Sequence, residues 1–371
     1  MSDNEAATLG EARRVMAVCN ACRYCGGFCA VFPAMEKRRR FVDGDLEYLA
    51  NLCHDCAGCF HACQYIPPHE FSLNVPRTMA QLRVQTYEKY AWPFFARRFF
   101  RRNGLTVFLL TMAFCLSALV LTWLFRGSGP LFSTHTGTGA FYAVISYASM
   151  AGGGLVFFVF AIVALCVGVM RFIRGMGWNL ADPVRPRHLI VAVRDVLTLR
   201  YLGGAGDGCN DVDDGFTHQR RWFHQAVLYG FLSCLVSTTV AAVYDHLLHY
   251  VAPYTFFSLP VLTGTFGGLA IMVGTAGLFR IRLVRDPRPR VADLLGMEVA
   301  FSAELFLVSF SGLLLLALRE TTAMGALLAV HLGLVAALFF CFPYGKFIHV
   351  LYRFAALVRY AAEEPGKGGG I

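Results

Sequence analysis

Hydrophobic and polar residues divide the chain once, near residue 92. The segment 1–92 mixes polar and apolar residues, whereas the remainder contains six long apolar runs. Each run can cross a hydrocarbon core of about 30 Å as a helix that rises about 1.5 Å per residue. The pattern therefore predicts six transmembrane helices, at about 105–125, 141–170, 223–248, 259–279, 298–318 and 324–350.

Composition favours a membrane-embedded chain over a large soluble one. Hydrophobic residues make up 56% of the sequence and charged residues 15%, against typical soluble values of about 45–50% and about 25%. Six apolar helices in a chain of this size leave too little polar surface for a soluble fold. We therefore expect an all-α protein, with a cysteine-rich helical domain over residues 1–92 and a six-helix transmembrane domain over residues 93–371 within the lipid bilayer.

The basic residues lie mainly at one side of the predicted bundle. The segments 93–103, 171–222 and 280–290 and the tail after residue 346 are rich in Arg and Lys, whereas the opposite side carries only Arg126 and Arg319. The positive-inside rule then places both termini in the cytoplasm, with the chain in the cell inner membrane. Because this asymmetry explains the net charge of +9, we expect no nucleic-acid partner. No secretory signal opens the chain, so we also expect reduced thiols.

Two identical cysteine motifs carry the strongest chemical signal. Each has the spacing C-x2-C-x2-C-x3-C, which is typical of ferredoxins with two cubane iron–sulfur clusters. In such ferredoxins the fourth cysteine of each motif serves the cluster of the other motif. The spacing therefore predicts two 4Fe–4S clusters, one on Cys19, Cys22, Cys25 and Cys63, the other on Cys53, Cys56, Cys59 and Cys29.

Zinc and disulfides are the competing interpretations of these cysteines. Structural zinc sites usually combine two separated C-x2-C pairs, and the third step of each motif departs from that pattern. Disulfides need an oxidising compartment, which the predicted cytoplasmic location does not provide. We expect the nearby His54, His61 and His69 to be surface or supporting groups rather than ligands. The basic run 37–40 is expected to be a solvated face that could also steer an acidic partner.

Four histidines lie in or at the ends of two predicted membrane helices. His224 and His246 belong to the third helix, and His331 and His349 to the sixth. At about 100° per residue, the step from 331 to 349 returns to one face of the helix, and the step from 224 to 246 misses by about 40°. If these helices are antiparallel neighbours, His224 meets His349 near the cytoplasm and His246 meets His331 farther out.

Ligating side chains within a bilayer are functional candidates, and paired histidines suit haem b. We therefore expect two bis-histidine haems, or one. The helical rise is about 33 Å from His224 to His246 and about 27 Å from His331 to His349, so the helices must tilt for both pairs to meet. His249 is an alternative to His246. For any single histidine, a helix-end residue satisfied by water or carbonyls is the simpler interpretation. Glu298, Glu304 and Asp245 are candidates for proton transfer to a quinone.

Three segments resemble the CitB, or tricarballylate-utilisation protein B, family, and the resemblance covers nearly the whole chain. They are LRYLGGAGDGCND at 199–211, RRWFHQAVLYGFL at 220–232 and FPYGKFIHVLYRFAAL at 342–357. The cysteine-rich domain also resembles the helical ferredoxin of heterodisulfide reductase and fumarate reductase relatives.

The resemblance implies a partner and a direction of electron flow. Such proteins serve a separate FAD-dependent dehydrogenase that oxidises a tricarboxylate such as tricarballylate, and electrons pass through iron–sulfur clusters and haem to the membrane quinone pool. The chain would then be an electron-transfer subunit of an oxidoreductase complex, and it has no dinucleotide fingerprint for a flavin of its own. Two other settings stay open: a redox subunit in cobalamin (precorrin) biosynthesis, and a non-catalytic redox sensor or membrane anchor.

Overall fold

The chain is all-α, as predicted, in the computed structural model, which describes residues 3–100, 102–178 and 184–363 and, at Ala205, the backbone alone. Within those ranges the only extended pairing is a single bridge between Cys209 and Thr217. The N-terminal part consists of α1 (Asp3–Cys22), α2 (Val31–Glu36), α3 (Asp43–Leu52), α4 (Gly58–His61) and α5 (Val75–Tyr90).

A 3-10 helix at Phe94–Phe100 leads into the apolar part of the chain. The helices that follow are α6 (Asn103–Arg126), α7 (Gly129–Phe132), α8 (Ala140–Val144), α9 (Tyr147–Gly175), α10 (Pro186–Leu197), α11 (Gln219–His246), α12 (Leu259–Val284), α13 (Leu295–Leu318), α14 (Met324–Cys341) and α15 (His349–Glu363). Six of them are long and apolar enough to cross a membrane, namely α6, α9, α11, α12, α13 and α14. This number agrees with the six spans that the hydrophobic pattern predicts, and it makes the chain a membrane protein.

Two of the predicted helices are wrong as single helices. The predicted helix 324–350 ends at Cys341, because Pro343 has no backbone N–H to continue it, and two short 3-10 turns precede α15. The predicted helix 141–170 is interrupted after Val144 and starts again after Ser146, whose hydroxyl accepts a capping hydrogen bond from the amide of Ser149 at 3.3 Å. The remaining spans differ from the predicted bounds only at their ends.

Small residues let the membrane helices approach closely. A Cβ atom added at Gly230 of α11 would lie 2.8 Å from the carbonyl oxygen of Gly267 in α12. A Cβ atom added at Gly333 of α14 would lie 2.7 Å from the Cα atom of Cys115 in α6. Because lipid provides no hydrophobic drive between apolar helices, such backbone contact is a main source of their association.

The N-terminal domain packs against α15 and the end of α9. The rings of Phe172 and Tyr352 stack at 4.6 Å with an interplanar angle of 2°, and the ring of Tyr90 meets Phe172 edge-on at 5.9 Å. All three side chains belong to one continuous buried core. The N-terminal domain and the C-terminal helix therefore lie at the same end of the bundle, as an even number of spans requires.

Arg38 joins the N-terminal domain to the end of α15, contrary to the expected solvated face at 37–40. Its guanidinium is 2.7 Å from the carboxylates of both Asp45 and Glu363, and it lies 4.8 Å above the ring of Tyr48. Only 9% of Arg38 is exposed, whereas the adjacent Arg39 is exposed.

Arg38→Ala is expected to lower the free energy of unfolding by about 1–3 kcal/mol, because it removes one of the two arginines, Arg38 and Arg359, that pair with the partly buried carboxylates of Asp45 and Glu363. Arg39→Ala is the matched control, since an exposed substitution changes stability by less than about 0.5 kcal/mol. The melting temperature of the purified, detergent-solubilised protein provides the measurement. Equal melting temperatures for the two variants would contradict this role of Arg38.

Candidate cofactor sites

The first cysteine set surrounds a cavity at the surface of the N-terminal domain. Cys19 and Cys22 belong to the last turns of α1, Cys25 to the turn that follows, and Cys63 to the segment after α4. These four side chains line a cavity of about 250 Å³. Cys22 is exposed, and the neighbouring Tyr24 is 71% exposed. One face of this set, which we call the outer set, therefore opens to solvent.

The second set, called the inner set, is more deeply placed and comprises Cys29, Cys53, Cys56 and Cys59. Cys53 and Cys56 are 7% and 8% exposed. Asp55, between these two cysteines, and Ala57, just after Cys56, have left-handed φ angles of 57° and 60°. Such angles are uncommon for residues other than glycine. The turn that results brings the amide of Asp55 within 3.4 Å of the Cys53 sulfur. Amide hydrogen bonds to sulfur are one of the means by which proteins tune iron–sulfur clusters.

The thiols interact within the two crossed sets that the motif spacing predicts. Burial and then the neighbouring Cys25 and Cys63 raise the pKa of Cys19 to about 12. Burial, followed by Cys56 and Cys53, raises the pKa of Cys29 well above its usual value. Each fourth cysteine thus lies among the thiols of the other motif. Bound iron would offset the mutual repulsion of these thiolates, so the two sets fit iron–sulfur clusters.

The cysteine sets differ from a compact site for a single metal ion. Within the described parts of the chain, no group of three or more His, Cys, Asp or Glu side chains is tight enough to hold a single metal ion. A tetrahedral zinc site needs all its ligand atoms within about 2.3 Å of one ion. A cubane distributes its four thiolates over four irons, so it accepts a wider set.

His224 and His349 come together at the end of the bundle that faces the N-terminal domain. Their ring centroids are 6.1 Å apart with an interplanar angle of 79°. Nδ1 of His349 donates a hydrogen bond to the carbonyl of Lys346, which leaves Nε2 as the free ligating nitrogen, and such a backbone bond is usual for metal-ligating histidines. Burial, together with nearby Arg353, holds the pKa of His349 well below its usual range, so the ring is neutral as ligation requires. These two neutral, adjacent histidines would suit the ligation of a haem iron, which would supply one-electron chemistry there.

His246 and His331 contact other side chains. Nε2 of His246, which is exposed, lies 2.8 Å from the hydroxyl of Tyr147. Nδ1 of His331 lies 2.9 Å from the hydroxyl of Ser311 on α13. Because α14 and α15 are separate helices, His331 and His349 do not share one helix face, as the predicted helix 324–350 required. The pairing of His246 with His331 stays a prediction. One ring nitrogen of each histidine already lies within hydrogen-bond distance of a hydroxyl group.

Comparison with known proteins decides the family. Residues 98–370 match the family described as Citrate utilization protein B, and residues 12–89 match its Fer4-like domain. The chain belongs to the citrate utilization protein B family. It is 46% identical over 368 residues to Citrate utilization protein B of Escherichia coli, a match that covers 97% of this chain and 94% of the relative. No solved structure is significantly similar to the chain.

In this citrate utilization protein B family member, the Fer4-like segment contains all eight motif cysteines and the 98–370 segment contains all four candidate haem histidines. The N-terminal domain is accordingly of the iron–sulfur type, and its presence is consistent with a role in electron transfer.

The acidic candidates for proton transfer occupy three different settings. Glu298 is 2.7 Å from Lys346 and 3.3 Å from Arg282, so it is already paired. Glu304 is 3% exposed and accepts one hydrogen bond, at 3.3 Å, from the hydroxyl of Thr111. The hydroxyl of Tyr142 is 3.4 Å from Asp245. Among these three acids of the family member, Glu304 is therefore the one that is buried and that accepts a hydrogen bond only from a neutral hydroxyl.

Supporting residues around the inner set were partly missed by sequence reasoning. His54 is buried, donates a hydrogen bond from Nδ1 to the carbonyl of Leu52 at 2.8 Å, and contacts the ring of Tyr201, whose centroid is 6.1 Å away. The side chain of His61 is 7% exposed, and Nε2 is 3.7 Å from Asp286, while His69 remains exposed. Adjacency to the cysteines was the only sequence signal for these contacts.

Proposed function

We propose that this chain is the membrane electron-transfer subunit of an oxidoreductase complex that acts on a tricarboxylate. Its partner is an FAD-dependent dehydrogenase at the cytoplasmic face, and its electron acceptor is a quinone of the membrane. Citrate utilization, which names both the family and the E. coli relative, supports a tricarboxylate of the tricarballylate or citrate type as the partner's substrate.

The order of the candidate sites carries this proposal. The outer cysteine set opens to solvent, where a partner can dock, and the inner set lies deeper, with Cys53 and Cys56 buried. Arg353 links the inner set to the histidine pair: it donates to the carbonyl of Cys53 at 2.8 Å and lies one turn after His349 in α15. The three sites therefore follow one another from the protein surface toward the membrane.

One-electron carriers can connect the two-electron donor, reduced FAD, to the two-electron acceptor, the quinone. Reduced FAD gives up two electrons and two protons, and a quinone takes up two electrons and two protons to become a quinol. Two 4Fe–4S clusters and haem b, when bound, supply carriers that accept and release one electron at a time. The chain's own residues hold these carriers in sequence and exclude water from the inner ones.

Each set of residues has a specific role in this proposal. The outer and inner cysteines ligate the two clusters, and His224 and His349 ligate the inner haem. His246 and His331 are the ligands proposed for a second haem, and Glu304 for proton delivery to the quinone. Both termini lie in the cytoplasm, with the bundle in the cell inner membrane.

Spectroscopy of the purified protein, followed by a quinone-reduction assay, tests the proposal. We expect two cubane signals in EPR after dithionite, a low-spin haem b spectrum, and quinone reduction when reduced flavoprotein is added. Iron, sulfide and haem content fix the number of each group. Zinc in place of iron, or complete cofactors without any turnover of quinone, would overturn the proposal.

A further inference from the structure

Four arginines donate hydrogen bonds to one short segment of backbone, residues 50–55, which contains Cys53 of the inner set. They are Arg83, Arg220, Arg285 and Arg353. Nε of Arg83 reaches the carbonyl of Ala50 at 3.1 Å, and Nη2 of Arg353 reaches that of Cys53 at 2.8 Å. Arg220 and Arg285 converge on the carbonyl of Asp55 at 2.5 Å and 2.7 Å. We call this group the arginine clamp.

Two members of the clamp come from the helices that carry the histidine pair. Arg220 precedes His224 by four residues in α11, and Arg353 follows His349 by four residues in α15. Residues four apart lie on the same face of a helix, one turn from each other. Each helix therefore uses one turn to hold the Cys53 segment and the adjacent turn to present a histidine, which fixes the distance between the inner cysteine set and the histidine pair.

The charges within the clamp are unevenly balanced. Arg285 is 2.8 Å from the carboxylate of Asp55, and Arg220 is 3.6 Å from that of Asp211. Arg83 and Arg353 have no carboxylate within 4 Å in the part of the chain that the structure describes. Arg83 is 5% exposed, and its Nη2 atom is buried without a hydrogen-bond partner. A buried cation without a counterion is costly, and the segment that these arginines hold carries Cys53, whose thiolate can supply the missing negative charge.

Resting on the proposed function, we propose that Arg353 and Arg83 are positioning residues that raise the reduction potential of the inner cluster above that of the outer cluster. Reduction adds one negative charge to a cluster, and a cation held nearby in a poorly solvated site stabilises the reduced form. The outer set faces water, and the arginine within its own turn, Arg23, is exposed to solvent rather than buried. Electrons that arrive at the outer cluster are thereby drawn inward, toward His349.

The test is an EPR-monitored redox titration of both clusters in the purified full-length protein. Arg353→Gln is expected to reduce the equilibrium constant for one-electron reduction of the inner cluster about tenfold, a shift of about 59 mV to lower potential. The potential of the outer cluster is expected to stay unchanged. Arg353→Lys keeps the charge and should recover most of the potential. Arg359→Gln is the matched control, because Arg359 lies on the same helix but pairs with Asp45 and Glu363.

The outcomes separate this inference from the proposed function. An inner cluster of unchanged potential in Arg353→Gln overturns the inference and leaves the proposed function standing. If Arg353→Gln loses the inner cluster, Arg83→Gln is titrated instead, because this substitution removes a hydrogen bond to Ala50 and keeps the one from Arg353 to Cys53. An unchanged potential of the inner cluster in Arg83→Gln also overturns the inference. A wild-type protein without two cluster signals overturns the proposed function itself.

Discussion

Cys29→Ser is expected to remove the inner cluster and to spare the outer one, although Cys29 belongs to the first motif. Cys29 lines one small cavity together with Cys53, Cys56 and Cys59 of the second motif, and Cys56 and Cys53 raise its pKa. A cubane that loses one of four thiolates loses a coordinating charge on one iron and becomes labile. Iron and sulfide content are expected to fall by about half, and the EPR signal of the more buried cluster to disappear.

Cys63→Ser is the reciprocal variant, because Cys63 lies with Cys19, Cys22 and Cys25 around the surface cavity. It is expected to remove the outer cluster, the one that a soluble reductant or partner reaches first. Cys166→Ser, at an exposed position of α9, controls for loss of any thiol. If Cys29→Ser removed the signal of the solvent-accessible cluster instead, each motif would hold its own cluster and the crossed ligand sets would be wrong.

The helical class and the cysteine sets could be predicted from local signals. Apolar runs of more than twenty residues indicate spans regardless of how they pack. The repeated cysteine spacing predicts the crossed partnership of Cys29 and Cys63, and each of the two lines a cavity with cysteines of the other motif. The family resemblance rested on motifs such as FPYGKFIHVLYRFAAL and agrees with the family match.

Packing and chain interruptions could not be predicted in the same way. The prediction that His331 and His349 share one helix face assumes an unbroken helix, and Pro343 breaks that helix. The proline is visible in the sequence, but the prediction gave more weight to the hydrophobicity of the segment. The contact of His246 with Tyr147 joins residues 99 positions apart, which no local pattern shows. Three of the clamp arginines, Arg220, Arg285 and Arg353, are predicted from the sequence only as the basic flank of membrane spans, because positive-inside statistics do not distinguish a solvated arginine from one that binds a buried loop.

His349→Ala is expected to abolish the low-spin haem b spectrum of the inner site while both iron–sulfur clusters remain. His349 lies 6.1 Å from His224, ring to ring, so one haem iron would lose an axial ligand on either substitution, and His224→Ala should give the same result. Reduced flavoprotein would still reduce the clusters, because they precede the haem, but quinone reduction is expected to fall to background. Haem content and cluster reoxidation by quinone, followed by stopped-flow absorbance, are the measurements.

The control for His349→Ala is His218→Ala, at the start of α11, where His218 contacts Trp222 rather than another histidine. It should keep haem, clusters and turnover.

His331→Ala then decides the number of haems, since it lowers haem content by half only if a second haem is bound farther out. Full haem content and turnover in His349→Ala would show that the histidine pair is structural, because a haem held elsewhere does not depend on this ring. Electrons would then leave the inner cluster by another route, and the arrangement of His349 and Arg353 on one helix would serve stability alone.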